Sequence, residues 1–330
     1  MILNSEDKIN FFISKHQELN DFEFKNIEGG KNNKSFVLES KQGQKYFLKE
    51  YFTDKSDKRN RLKVEWDFLK LSEELNINST PTTIIKDEKL NLALYSFIEG
   101  QKIVPHAITE HHIDKVLKFI ISLNSNTNHS SFSHKASDFN NSIHTFITSM
   151  DARVNNLNFI NDLDFELKIK LVKLREDIKN IWRKEKTYLN TIFNKNEIYS
   201  EFPLFLSPSD IGFHNILINK NENLFFIDFE YAGLDDLAKL TNDFFSCPDI
   251  MIPKRFKKSF ISKLICSLEI DNFFETRVIA LEESFKIKWA CILLNEYLVH
   301  GMNRRMFSNG NTDYKLSSFQ YQKSIDLLLN

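Results

Sequence analysis

Residues 206–229 read LSPSDIGFHNILINKNENLFFIDF, and this stretch constrains the fold more than any other. Two apolar runs, Ile216-Leu217-Ile218 and Leu224-Phe225-Phe226-Ile227, flank the polar segment Asn219-Lys220-Asn221-Glu222-Asn223, so the chain doubles back as strand, turn and strand. The hairpin sets Asn215, at the start of one strand, beside Asp228, at the end of the other, with Asp210 on the loop that leads in. Three oxygen-bearing side chains brought together suit Mg²⁺ and a phosphate donor. Phosphoryl transfer asks for positioning and charge neutralisation more than covalent participation, and carboxylates with an amide supply both. Asp and Asn are also ordinary turn residues, so the same letters fit a plain loop.

The surrounding sequence divides into a β-rich part and a helical part. Phe22 to Glu28, Ser35 to Ser40 and Lys45 to Phe52 read as strands, with a turn at Lys41-Gln42-Gly43-Gln44. Arg59 to Leu75 then places Val64, Phe68, Leu71 and Leu75 at helical spacing. Two more strands are expected around Lys86-Asp87-Glu88-Lys89, the second from Leu90 to Phe97, ended by Glu99-Gly100. Beyond Gly100 the pattern is helical over Glu110 to Leu123, loop-like from Asn124 to Ser133, helical and charged over 162–193, and helical again by Asp235 and after Pro253. The 206–229 hairpin is the one β island expected there. The fold class is α+β: a small antiparallel sheet with one helix over residues 1–97 and a mainly helical part over 98–330, hinged at 95–101.

Asp210, Asn215 and Asp228 in this setting resemble the aminoglycoside phosphotransferase and choline kinase-like family, small-molecule relatives of protein kinases. The resemblance spans about residues 25–300 and implies a bilobal protein kinase-like fold, with which the order of elements agrees. It implies that Asp210 is the catalytic carboxylate that orients or deprotonates the accepting hydroxyl, and that Asn215 and Asp228 hold the metal. Lys49 takes the place of the lysine that contacts the α- and β-phosphates of ATP, with Glu65 on the next helix as its partner. A period of two puts Lys49 on the strand face shared with Phe47 and Tyr51. Gly30 and Asn33 reproduce the family's Gly and, three residues on, Asn near the nucleotide, although Glu28 to Ser35 has neither Gly-x-Gly-x-x-Gly nor Walker A spacing. Tyr95 to Gly100 matches the hinge pattern, so Phe97 and Ile98 are expected against the adenine. Two positions depart from related kinases: Pro208 stands where the family usually has His, and Glu230 where protein kinases carry Gly after Asp-Phe.

The implied activity is transfer of the γ-phosphate of ATP, with Mg²⁺, to a hydroxyl of a small acceptor: an amino sugar, a sugar or an amino alcohol. The alternative is a nucleotide-binding pseudokinase with a regulatory or scaffolding role, in which the Ser207-Pro208-Ser209 loop no longer supports transfer. A cationic acceptor would call for carboxylates, and Asp235, Asp236, Asp243, Glu282 and Glu283 are candidates, although Asp235 and Asp236 better suit a helix start. Lys288 to Tyr297 reads as a buried helix.

A formal charge of −1 gives no electrostatic case for nucleic acid or an anionic membrane as partner. Cys247, Cys266 and Cys291 form no Cys-x-x-Cys pair and are expected as buried thiols in a reducing compartment. The first residues lack a basic region followed by an apolar run, and no segment approaches eighteen consecutive apolar residues, which points to the cytoplasm. No symmetry signal speaks to oligomeric state.

Overall fold

The computed structural model describes residues 4–27, 32–53, 59–125, 132–195, 201–309 and 318–329. The chain starts with α1 (Ser5–Ser14), whose first turn is capped by the Asn4 side chain accepting from the Asp7 N–H. Then come β1 (Phe22–Ile27), β2 (Lys34–Ser40), β3 (Lys45–Glu50), α2 (Arg61–Glu74), β4 (Thr83–Asp87) and β5 (Leu92–Ser96). The five strands form one antiparallel sheet in the order β1-β2-β3-β5-β4.

Alternation along the strands decides which side each residue serves. Leu48, Leu92 and Leu94 point to one face, where Ile9 and Phe12 of α1 close a core with Leu19, Phe36 and Leu38. Ala93 and Tyr95 point to the other face, with α2, where Leu62, Phe68 and Leu69 are buried. Full burial of an aliphatic or aromatic side chain contributes about 1.5–3 kcal/mol relative to exposure. Among the described residues the small lobe therefore carries two α-helices, one on each side of the sheet. The N-terminal one escapes the sequence reading because it is short and only Ile9 and Phe12 in it are buried.

The larger, mainly helical lobe follows. Its first half holds β6 (Gln101–Lys102), α3 (Glu110–Asn124), α4 (Ile143–Asn155), α5 (Phe165–Lys195), β7 (Phe205–Ser207), β8 (Ile216–Ile218), β9 (Leu224–Phe226) and β10 (Gly233–Asp235). Its second half holds α6 (Leu237–Ser246), α7 (Lys257–Leu268), α8 (Phe274–Ala280), α9 (Glu282–Leu294), α10 (Val299–Asn309) and α11 (Phe319–Leu329). The hairpin expected at 216–227 is present as β8 and β9, with Ile216 opposite Phe226 and Ile218 opposite Leu224. It is not a lone β island, however. β6 joins it as a third strand, and β7 pairs with β10. Strands of two or three residues are too short to leave an alternating pattern, so only pairing geometry reveals them.

Aromatic stacking ties the lobes together beneath the hairpin. Phe119 of α3 stacks on Phe226 at 3.9 Å, and Phe229 stacks on Phe68 of α2 at 4.5 Å. A second core joins α4, α5 and α9 through Met150, Leu171, Trp182 and Phe285. Across the cleft mouth, Phe307 of α10 meets Phe52 at 5.3 Å and lies under the Lys34 ammonium at 4.7 Å, so the helical lobe touches the sheet there too. Cys247 and Cys291 are buried as expected, but Cys266 is exposed on α7; all three are free thiols. Among the described residues no helix is long and apolar enough to cross a membrane.

Candidate active site

A continuous cleft of about 1120 Å³ lies between the lobes, lined by Phe47, Lys49, Phe97, Asp210, Asn215 and Asp228 among others. That volume exceeds an ordinary single-ligand pocket of roughly 300–1,000 Å³ and has room for a nucleotide and a second molecule.

The small lobe supplies the cation. Lys49 on β3 is 4% exposed and sits 2.6 Å from the Glu65 carboxylate of α2 and 2.5 Å from that of Asp228. Burial works against its charge, but Asp228 and Glu65 more than offset it and hold its pKa well above the usual lysine value. Glu65 is fixed from three sides: it accepts from Lys49, from the Tyr51 hydroxyl at 2.8 Å and from the Phe229 N–H at 3.3 Å. Burial raises the Glu65 pKa and Lys49 pulls it down, with the first effect prevailing. Strand pairing with Ala93 on one side and Ser35 on the other fixes the Lys49 backbone in the middle of the sheet.

The hairpin and its loop supply the oxygens. Pro208 leads into Ser209, whose φ of 65° is left-handed, and the Asp210 N–H closes the turn on the Pro208 carbonyl at 2.9 Å. The Ser207 hydroxyl accepts from the Ser209 N–H at 3.0 Å, so proline and a serine side chain brace the loop. The Asn215 amide nitrogen donates to the Asp210 carbonyl at 3.0 Å, which leaves its Oδ1 as an acceptor. Asp228 adopts φ 69°, a left-handed conformation costly for a non-glycine residue, and its side chain keeps 37% exposure toward the cleft. Mg²⁺ fits these residues: both donors are hard oxygens, and Mg²⁺ is commonly held by one or two such groups together with substrate phosphates. No cluster of three or more His, Cys, Asp or Glu suited to a metal occurs among the described residues.

The sequence reading missed His214. Its Nε2 lies 3.1 Å from Asp210 Oδ1, and its Nδ1 lies 3.5 Å from the Cys247 sulfur. Burial opposes its charge, but the Asp210 carboxylate prevails and pushes its pKa up to about 11. The ring fits only because residue 212 is glycine, since a Cβ there would fall 2.5 Å from Nδ1. The separation of four residues between Asp210 and His214 was the available signal.

The remaining expectations fall in different places. Asn33 lines the cleft, but its amide donates to Glu230 at 2.7 Å and its oxygen accepts from the Phe52 N–H. Asn32 also reaches Glu230, at 3.3 Å, and the Tyr231 hydroxyl, at 3.0 Å. Glu230, buried and 3.5 Å from Arg61, thus ties Asn32 and Asn33, just ahead of β2, to the end of the hairpin. Gly30 lies outside the described residues. Phe97 and Ile98 line the cleft between β5 and β6; the Ser96 N–H is already bonded to the Thr82 carbonyl, which leaves residues 97–98 to offer backbone groups.

Of the five carboxylates considered for a cationic acceptor, only Asp243 lines the cleft. It holds Lys288 through both oxygens at 2.9 Å. Asp235 pairs with Lys239, Asp236 with Arg277, Glu282 with Lys257 and Glu283 with Lys286. Asp236 also caps α6 by accepting from the Ala238 N–H. The helix read from Lys288 onward is only partly core: Ala290, Cys291 and Leu294 are buried, while Lys288, Trp289 and Ile292 face the cleft.

No protein-family model matches the sequence. No curated protein matches it either. Solved structures do match in three dimensions. ADP-bound aminoglycoside phosphotransferase APH(2'')-Ib aligns with a TM-score of 0.60 at 15% identity, covering 99% of this chain and 97% of that one. The choline kinase LicA from Streptococcus pneumoniae aligns at 0.61 and 12% identity, covering 97% and 98%. A choline kinase from Cryptosporidium parvum aligns at 0.55 and 16%, covering 97% and 96%. The two-lobed architecture, with its small antiparallel sheet and larger helical portion, is the protein kinase-like fold of these proteins.

Proposed function

We propose that this chain, which shares its fold with aminoglycoside phosphotransferases and choline kinases, is a small-molecule kinase that moves the γ-phosphate of ATP to an alcohol. One observation carries the reading: Lys49 with Glu65, Asp228, Asn215 and Asp210 converge on one cleft from segments far apart in sequence. Phe97 and Ile98 would pack against the adenine in a nucleotide site built mainly from residues 1–97, leaving the acceptor to residues 98–330.

Lys49, held extended by Glu65, would contact the donor phosphates. Asp228 and the Asn215 oxygen would hold Mg²⁺, which when bound neutralises charge on the β- and γ-phosphates. Asp210 would accept a hydrogen bond from the acceptor hydroxyl and orient its oxygen toward the γ-phosphorus. As that oxygen bonds to phosphorus, the bond to the β-bridging oxygen breaks, ADP leaves with the electron pair, and the hydroxyl proton passes to Asp210 and then to water. Enclosure of Lys49 and Glu65 keeps their pair out of bulk water, where it would be screened.

Thermal denaturation with and without ATP and Mg²⁺, followed by ADP release over a panel of alcohols, tests this. We expect stabilisation by ATP and Mg²⁺, and ADP release with at least one alcohol. Asp210→Asn should keep the stabilisation and lose roughly 10²–10⁴-fold in rate. No stabilisation by ATP refutes nucleotide binding; stabilisation without release for any alcohol favours the pseudokinase.

A further inference from the structure

Beyond Asp210 the cleft runs on between α4, α6, α9 and α10, and its charges are arranged in an unexpected way for a pocket that takes a cation. The carboxylates along it face cations of the protein's own. Asp243 is gripped by Lys288 through both oxygens, with Lys239 also 3.6 Å away. Asp138 lies 2.6 Å from Arg153, and Lys288, Lys239 and Arg59 add to the positive field that lowers its pKa to about 2 against the opposing effect of burial. Asp249 lies 3.6 Å from Lys323, and Glu296 interacts with Arg305. Even at the reacting end, Asp210 faces His214. On the other side of the balance, Arg304 lines the cleft and makes no ion pair among the described residues.

Resting on the kinase reading above, we infer that the acceptor is an alcohol carrying an oxyanionic group, a carboxylate or a phosphate, and is not an ammonium compound. An ammonium group entering here would have to compete with Lys288 for Asp243 and with Arg153 for Asp138, and would then approach Arg304. An oxyanion meets the opposite situation. A guanidinium presents its N–H donors in a planar fork that matches carboxylate and phosphate oxygens. With the anion held near Arg304, the hydroxyl of the same molecule is left to reach toward Asp210. The transfer balances as described above: the hydroxyl loses its proton, gains the phosphoryl group, and ADP departs.

The test uses the full chain with ATP and Mg²⁺ and four sets of alcohols: hydroxy and sugar acids, sugar and polyol phosphates, their neutral parent sugars and polyols, and amino sugars with amino alcohols. ADP release confined to the first two sets is expected, and the comparison between them tells carboxylate from phosphate. Arg304→Glu should raise KM for the preferred anionic acceptor by about tenfold or more, with kcat within about twofold, while Arg304→Lys, which keeps the charge but not the fork, recovers only part of the loss. Turnover of neutral or ammonium alcohols at equal or higher kcat/KM overturns the inference and leaves the kinase reading standing. ATP-induced stabilisation with no turnover in any set also counts against it. Loss of ATP-induced stabilisation removes the kinase reading itself.

Discussion

Arg277 offers the sharpest test of how the helical lobe is held. The side chain is 1% exposed, and its guanidinium joins Asp236, at 3.1 Å from two nitrogens, to Asp271, at 2.8 and 2.9 Å. It also lies over the Phe202 ring at 4.9 Å. Arg277→Met keeps much of the volume and removes the charge, leaving Asp236 buried at the N-terminus of α6 with the Ala238 N–H as its one remaining side-chain partner among the described residues. Breaking a buried pair by removing one partner costs about 3–5 kcal/mol. With an unfolding entropy of roughly 2.1 cal/mol/K per residue, that corresponds to a fall in Tm of roughly 4–7 °C for a chain of this length. The penalty has a pH signature. Burial already raises the Asp236 pKa and Arg277 counteracts it, so without the arginine the carboxyl rises further and is protonated in the fold at mild acidity. The destabilisation measured by thermal melts should therefore be largest near pH 8 and shrink toward pH 5, and Asp236→Asn in the Arg277→Met background should recover part of it at pH 8. A loss below about 1 kcal/mol, or one independent of pH, would refute the account of Asp236 as a buried charge that depends on this partner.

Three further outcomes are expected. Gly212→Ala adds a Cβ where the His214 ring sits, at 2.5 and 2.6 Å from its atoms, and should lower the rate of ADP release roughly 10²-fold by displacing Asp210's partner, with ATP-induced stabilisation retained. Glu65→Gln removes the carboxylate that positions Lys49 while sparing an acceptor for the Phe229 N–H; the KM for ATP should rise about tenfold, and an unchanged KM would detach Lys49 from the nucleotide. Burial raises the Asp235 carboxyl from 3.8 to about 6 against the pull of Lys239. Because the folded value is the higher one, protonation favours the fold; that contribution is complete below pH 3.8 and lost as pH rises through 6. Stability measured against Asp235→Asn should accordingly turn against the wild type between about pH 4 and 7 and then level off.

Much of this molecule is legible in its sequence where local pattern carries the information. β1, β2, β3, β5 and α2 lie within a few residues of their expected ends, and β4 falls before β5 as expected, because alternation and a helical stripe are local properties. The hairpin was visible for the same reason. What stayed hidden depends on partners distant in the chain. β6 exists because Gln101 and Lys102 meet Ile218 and Leu217, and β10 because Gly233 to Asp235 meet β7. Asn33 stands out in sequence by its spacing from Gly30, yet its oxygen is taken by the Phe52 backbone and its amide by Glu230, nearly two hundred residues away. The carboxylates of α6 show the limit most clearly: Asp236 was legible as a helix start, but Lys288 and Arg277, which decide whether Asp243 and Asp236 can serve a ligand, come from helices no local window includes.

The contacts across the cleft mouth bear on the tempo of any reaction inside it. Asn32 and Asn33 grip Glu230 and Tyr231 on one side, and Phe52 and Lys34 meet Phe307 on the other. Glu230 lies two residues past Asp228, so a small lobe that tilts away must either break these links or drag the hairpin end with it. A hydrogen bond to a charged group contributes about 1.5–3 kcal/mol, so the lobes part against appreciable resistance. If the chain transfers phosphate as proposed, separation of the lobes, rather than the chemical step, is expected to set the pace at which ADP leaves. A slower turnover in viscous solvent, at unchanged single-turnover rate, is the mark such a latch would leave.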